Sequence, residues 1–268
     1  MMIKKQIILL LLACVLFAGV VWLIWGNVTV GLTNYTVYEE NIPASFDGYR
    51  IAHISDLHNS RLWKEAIRQL QNAKPDIICI TGDLVDSRHT DVEMALAFAS
   101  EAVKIAPCYY IPGNHELRFS DELFAFLISG LKACGVTVLM DEAVILQRDN
   151  DMVSLIGRGC EKLESLPSSN GYSILLSHYP EEFSAYVAGE YDLVLSGHAH
   201  GGQVRLPFVG GLFAPGQGIL PEYDSGVFTE GRTNMVVSRG IGNSGFPIRF
   251  NNRPEVILLT LRVDTSGQ

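Results

Sequence analysis

The sequence predicts an α/β (α+β) domain, with sheets packed together and helices outside, behind one N-terminal transmembrane helix. Three observations predict it. The opening segment MMIKKQIILLLLACVLFAGVVWLIWGN carries no charge between Ile7 and Trp25. From there on, apolar runs and helical patterns alternate through the first half, and the second half is rich in strand patterns. Five of the apolar runs stop at a polar motif: SDLH, TGDLVD, PGNHE, LSHYP and SGHAH.

The elements follow in chain order. At about 1.5 Å per helical residue, the uncharged stretch spans roughly 28 Å, close to a bilayer's hydrocarbon core. Trp22 and Trp25 lie at its far end, where amphipathic aromatics favour the membrane interface. A cleaved signal peptide fits less well, because the run is long and no small-x-small signature follows it. A lipoprotein signal ending at Cys14 is opposed by the apolar residues that continue beyond it. Lys4 and Lys5 precede the span, which favours a cytoplasmic N-terminus, a single pass through the cell membrane and an extracytoplasmic domain. Residues 1–26 therefore read as an anchor and residues 27–268 as one domain without a linker-like break.

NVTVGLTNYTVYEENIP alternates as a half-exposed strand does, and YRIAHIS reads as a second strand ending at Asp56. RLWKEAIRQLQNAK has helical spacing and closes at Pro75. The buried strand DIICITG leads to Asp83, the helix DVEMALAFASEAVKI follows, and CYYIPG is another strand. DELFAFLISGLKACG is a helix that Gly135 terminates. VTVLMDEAVIL and MVSLIGRG are two strand candidates, and YSILLSHYP and YDLVLSGHAHGG each run apolar until histidine. TNMVVSRGIG and PEVILLTLRV complete the chain as strands between Gly/Pro-rich loops.

Composition narrows the partners. A formal net charge of −9 over 268 residues argues against a nucleic-acid backbone, which needs clustered Lys and Arg. A phosphorylated substrate stays open if a bound cation supplies the positive charge. Five cysteines, none in a CxxC pair, suit neither a disulfide framework nor a cysteine zinc site. Cys79, inside a buried strand pattern, reads as core packing.

Ligands of open α/β sheets collect at the carboxyl ends of strands. The five motifs there offer Asp56, His58, Asp83, Asn114, His115, His178, His198 and His200. Any one motif is ordinary: DxH recurs by chance, GDLVD could be a turn, GNHE a loop. Together they use five of the seven histidines, with His53 left as a strand residue and His89 as a loop residue. Carboxylate and imidazole donors suit zinc, manganese or iron. So many donors exceed what one catalytic ion with an open position needs, and they fit two ions sharing a carboxylate, as in phosphoryl transfer.

The ordered set DxH, GDxxD, GNH, H and GHxH resembles the calcineurin-like metallophosphoesterase superfamily, from residue 49 to the C-terminus. SGHAHGGQVRLPFVGG further resembles its bacterial membrane-associated branch. The resemblance implies a four-layer αββα sandwich with a dinuclear metal site at strand ends. It implies that Asp56, His58 and His200 hold one ion, that Asn114, His178 and His198 hold the other, and that Asp83 bridges them. It further implies a hydroxide between the ions as nucleophile and His115 beside the phosphoryl group, steadying charge or protonating the leaving alcohol. Asp86 and Glu116 read either as residues orienting a ligand or as a turn residue and a helix-start residue.

The implied activity is a membrane-anchored, dimetal-dependent phosphodiesterase acting on a phosphodiester or pyrophosphate. The Gly/Pro-rich segment after the last histidines carries apolar residues and Arg205, which could hold a phosphate oxygen or face solvent. With the anchor, that loop suits a lipid-linked substrate such as UDP-2,3-diacylglucosamine, whose hydrolases are among the family's members. A second function class is a metal-stabilised, membrane-tethered interaction protein without significant turnover. The complete ligand set favours the enzyme.

Overall fold

The computed structural model describes residues 2–159 and 171–265. Helix α1 (Met2–Val28) leads into β1 (Gly31–Glu39) and β2 (Arg50–Ile54). Then α2 (Trp63–Ala73), β3 (Ile77–Thr81), α3 (Val92–Ala102), β4 (Cys108–Ile111), α4 (Asp121–Ala133) and β5 (Thr137–Val138) alternate. β6 (Glu142–Arg148), β7 (Asp151–Gly157), β8 (Ser173–Leu176), α5 (Phe183–Ala188) and β9 (Leu193–Ser196) follow. Two small hairpins, β10 (Arg205–Leu206) with β11 (Gly210–Gly211) and β12 (Phe213–Ala214) with β13 (Gly218–Ile219), precede β14 (Gly226–Glu230), β15 (Thr233–Val237) and β16 (Glu255–Val263).

Two six-stranded sheets result, ordered β1-β16-β2-β3-β4-β5 and β14-β15-β9-β8-β7-β6. Side chains alternate across a strand, so each central strand feeds two cores. Ile78 and Ile80 of β3 pack toward α2, α3 and α4 with Leu70, Phe98 and Leu127. Ile77 and Cys79 of the same strand face the second sheet, meeting Ile174, Leu176, Leu193 and Leu195. Leu175 and Val194 point the other way, onto Phe183 and Tyr186 of α5. The layers are therefore helices, sheet, sheet and helix, as the resemblance implies, and Cys79 is a fully buried core residue.

One predicted strand is two. VTVLMDEAVIL divides into β5, the edge of the first sheet, and β6, the edge of the second. Asp141 between them has a left-handed φ of 60°, which turns the chain from one sheet to the other. β16 holds a place that chain order does not suggest, between β1 and β2, parallel to the former and antiparallel to the latter.

Helix α1 is apolar all round from Ile7 to Trp25, and its side chains there are largely exposed. Such a surface fits a membrane span. Its end is fixed to the domain by a reciprocal pair: Asn27 Nδ2 donates to Arg249 O, and Arg249 N donates to Asn27 Oδ1, each at 2.8 Å. Trp22 packs edge-on against Phe250, with ring centroids 5.5 Å apart.

Candidate metal centre

Each donor lies just past the carboxyl end of a strand that runs parallel to at least one neighbour. Asp56 follows β2 and Asp83 follows β3, while Asn114 and His115 follow β4; His178 follows β8, and His198 and His200 follow β9. The two sheets thus contribute from opposite sides. The backbone there is unusual: Asp56, His58, Asp83, His198 and His200 all adopt positive φ, between 44° and 65°. For non-glycine residues each such conformation costs about 1 kcal/mol or more and persists where surrounding structure imposes it, typically at functional sites. Gly197 lets this happen: a Cβ there would sit 2.5 Å from Asp56 Oδ2.

The donors converge. His58 Nε2 lies 3.7 Å from Asp56 Oδ1, and His200 Nε2 lies 3.4 Å from the same oxygen. Asp83 Oδ2 is 3.3 Å from His58 Nε2 and 3.3 Å from His178 Nε2. Asn114 Oδ1 is 3.2 Å from His178 Nε2. Asp56, His58 and His200 form one group with metal-compatible spacing, and Asp83, His178 and His198 form another. A third, His58, Asp83 and His115, meets the same spacing. However, His115 Nδ1 already accepts from Ser87 N at 2.9 Å, and its Nε2 lies 3.0 Å from Ser244 Oγ.

A shell of hydrogen bonds aims these groups. His178 Nδ1 donates to Thr81 O at 2.7 Å, which fixes the ring with Nε2 facing Asp83. His198 presents Nε2 toward Glu181 Oε1 at 3.8 Å. Asp86 Oδ1 accepts from Arg88 N in a turn, and its Oδ2 stands 3.4 Å from His58 Nδ1. Glu116 starts a short 3-10 turn, and its carboxylate also accepts from the amides of Asp83, Val85 and Gly113 at 2.8–2.9 Å. Arg205 is engaged: it pairs with Asp224 Oδ2 at 2.8 Å and donates to Gly201 O at 3.0 Å, bracing the loop behind His200. His53 is a buried strand residue, hydrogen-bonded to Thr81 Oγ1 at 2.8 Å, and His89 is exposed.

Charge and burial oppose each other throughout. Burial would raise the Asp56 and Asp83 carboxyls, but the surrounding imidazoles hold both well below the usual range. Burial would lower His58, yet Asp56, Asp86 and Asp83 raise it to about 10, and Asp83 and Asp56 likewise raise His178 to about 9. Burial lowers His198 to about 4 and His200 to about 3. The residues fit divalent ions by a direct test: His58 Nε2, which faces Asp56 and Asp83, is buried without a hydrogen-bond partner. A cation among oxygen and nitrogen donors removes such a deficit.

Glu116 yields a prediction here. Burial and the Asp83 charge push its carboxyl up to about 7, against the pull of three amide donors. In Glu116→Gln one oxygen becomes an NH₂ group that faces an amide. The expected cost is about 1–3 kcal/mol, and the melting temperature should fall by roughly 2–4 °C per kcal/mol. Thermal unfolding followed by circular dichroism measures it, and an unchanged midpoint would refute the clamp.

Comparisons with known proteins identify the family. The calcineurin-like phosphoesterase family matches residues 49–202. The chain is 32% identical over 249 residues to the uncharacterized metallophosphoesterase YkuE of Bacillus subtilis, covering 86% of this chain and 85% of that one. It is 32% identical over 229 residues to the phosphodiesterase YaeI of Escherichia coli, covering 80% and 82%. A Bos taurus transmembrane protein with metallophosphoesterase domain is 26% identical over 258 residues, covering 86% of this chain and 57% of that one.

Proposed function

The chain belongs to the calcineurin-like phosphoesterase family, and from that premise we propose a membrane-anchored phosphodiesterase that works with two divalent ions. The observation that carries this is Asp83 Oδ2, equally 3.3 Å from a histidine of each donor group. Asp56, His58 and His200 would hold one ion, Asn114, His178 and His198 the other, and Asp83 both. When bound, such ions polarise phosphoryl oxygens and ease the ionisation of water near neutral pH. The relative YaeI is a phosphodiesterase by name, which supports diester chemistry here.

The hydrogen bonds of His115 support a role for it. Because Nδ1 accepts from Ser87 N, the neutral ring carries its proton on Nε2. Burial lowers the pKa of His115 from its ordinary value, which favours the neutral ring. Nε2–H is then a hydrogen-bond donor for a phosphoryl or leaving-group oxygen, with Ser244 Oγ as its resting partner. Full transfer of that proton would leave an imidazolate, so His115 stabilises charge rather than acting as the proton source.

A lipid-linked phosphodiester or pyrophosphate is the proposed substrate class. Phe208, Val209, Phe246, Ile248 and Phe250 are exposed on loops beyond the histidines. Gln203 Nε2 ties two of these loops together through Phe246 O and Ile248 O, and Phe250 rests on Trp22 of α1. An exposed apolar rim beside the end of an apolar helix suits a substrate drawn from a bilayer.

The test uses the full chain in detergent, stripped of metal and resupplied with manganese. Turnover of bis-p-nitrophenyl phosphate should return with metal and exceed that of p-nitrophenyl phosphate. Uptake of metal with no turnover of either ester would favour a tethered interaction protein instead.

A further inference from the structure

Where α1 meets the domain there is a cavity of about 240 Å³, and none of the proposed metal ligands is among its lining residues. Arg239, Arg249 and Arg253 face Trp22 and Trp25 across it, and no carboxylate is among its lining residues. Arg249 is fully buried, directs its donors to Asn243 Oδ1, Arg239 O and Gly242 O, and places Nη2 3.4 Å from His200 Nδ1. Arg253 stacks on the Trp25 ring at 4.3 Å and uses Nε and Nη2 on Thr29 Oγ1 and Val30 O. Arg239 differs. Its Nε is buried without a hydrogen-bond partner, and the nearest carboxylate oxygen, Glu255 Oε2, stands 3.8 Å away. Glu255 already serves Thr33 Oγ1 and the Arg239 amide.

Three guanidiniums thus gather, with Glu255 beside Arg239 as a counter-charge at 3.8 Å, next to two tryptophans on the last turns of an apolar helix. Tryptophans at the end of a span mark headgroup depth. Arginine favours phosphate oxygens through paired N–H donors. The cavity has room for a phosphate group and not for a whole lipid, so any tails must leave along the exposed flank of α1. We propose that this cavity is a binding site for the phosphate of an anionic glycerophospholipid, held chiefly by Arg239 and Arg253, with its acyl chains against α1. A zwitterionic lipid would bring a cationic group toward three guanidiniums, which disfavours it. The site is separate from the catalytic substrate's and rests on the proposal that α1 lies in a bilayer.

Native mass spectrometry of the full chain in detergent tests it, with dihexanoyl phosphatidylglycerol, dihexanoyl phosphatidylcholine and inorganic phosphate as probes. Phosphatidylglycerol should be retained about tenfold more tightly than phosphatidylcholine, and Arg239→Gln should weaken it about tenfold. Arg253→Gln is the second variant and should act in the same direction, with thermal melting to check that each is folded. Equal retention of the two lipids, or no change in either folded variant, overturns the proposal. Inorganic phosphate displacing phosphatidylglycerol at equal concentration would mean a soluble anion is the ligand, and would overturn the lipid assignment. Flotation on pure phosphatidylcholine vesicles reports the anchor separately. A chain that floats yet does not discriminate headgroups refutes this site alone, whereas one that does not float refutes the anchor and this site with it.

Discussion

Asp83→Ala is expected to lose bound metal and turnover together, with kcat/KM down by roughly three orders of magnitude or more, since a metal's transition-state stabilisation is several kcal/mol. No other donor has its position. Its Oδ2 faces His58 and His178 at 3.3 Å each, while Oδ1 accepts from His115 N at 2.9 Å. The substitution removes the shared donor, the counter-charge of two buried imidazoles and the brace beneath His115. Asp83→Asn separates these effects, because its amide oxygen can keep the His115 bond while the carboxylate charge is gone. Metal per chain, measured by plasma mass spectrometry, should fall in both variants, and the backbone near His115 should stay intact only in the second. Wild-type metal content and turnover in either would overturn the bridging assignment.

The sequence made the donor set legible for a physical reason. A strand buried on both faces must be apolar, so its end shows as an abrupt change to polar residues, and in a parallel sheet those ends cluster. Asp56, Asp83, His178 and His198 all announce themselves in this way. What stayed hidden depends on contacts between distant segments. Ser244 reaches His115 across 129 residues, and the Asn27–Arg249 pair spans 222. Neither sits in a recognisable motif. Glu181 stands only three positions from His178, yet no motif marks it as the residue that faces His198. The break at Asp141 was masked by apolar residues on both sides, since each half belongs to a different sheet edge. Arg205 carried two equal expectations from sequence, and only its Asp224 and Gly201 partners reveal the bracing.

His115 provides the second large effect, and its pattern matters more than its size. His115→Ala should retain metal while turnover of a diester falls about 10²–10³-fold, the usual cost of losing one preorganised donor to a developing oxyanion. His115→Gln, whose amide can still donate, should recover part of that loss. Leaving groups decide between the two roles open to this residue. If Nε2–H stabilises charge on the phosphoryl oxygens, p-nitrophenyl and unactivated alkyl diesters should suffer similar losses. If His115 instead protonated the leaving alcohol, alkyl diesters would suffer far more, because p-nitrophenolate leaves without a proton. The hydrogen bond from Ser87 N to Nδ1 argues for the first outcome, since it holds that nitrogen as an acceptor and leaves the ring one proton. A loss confined to poor leaving groups would show that this bond breaks during catalysis and that the ring cycles through its doubly protonated form.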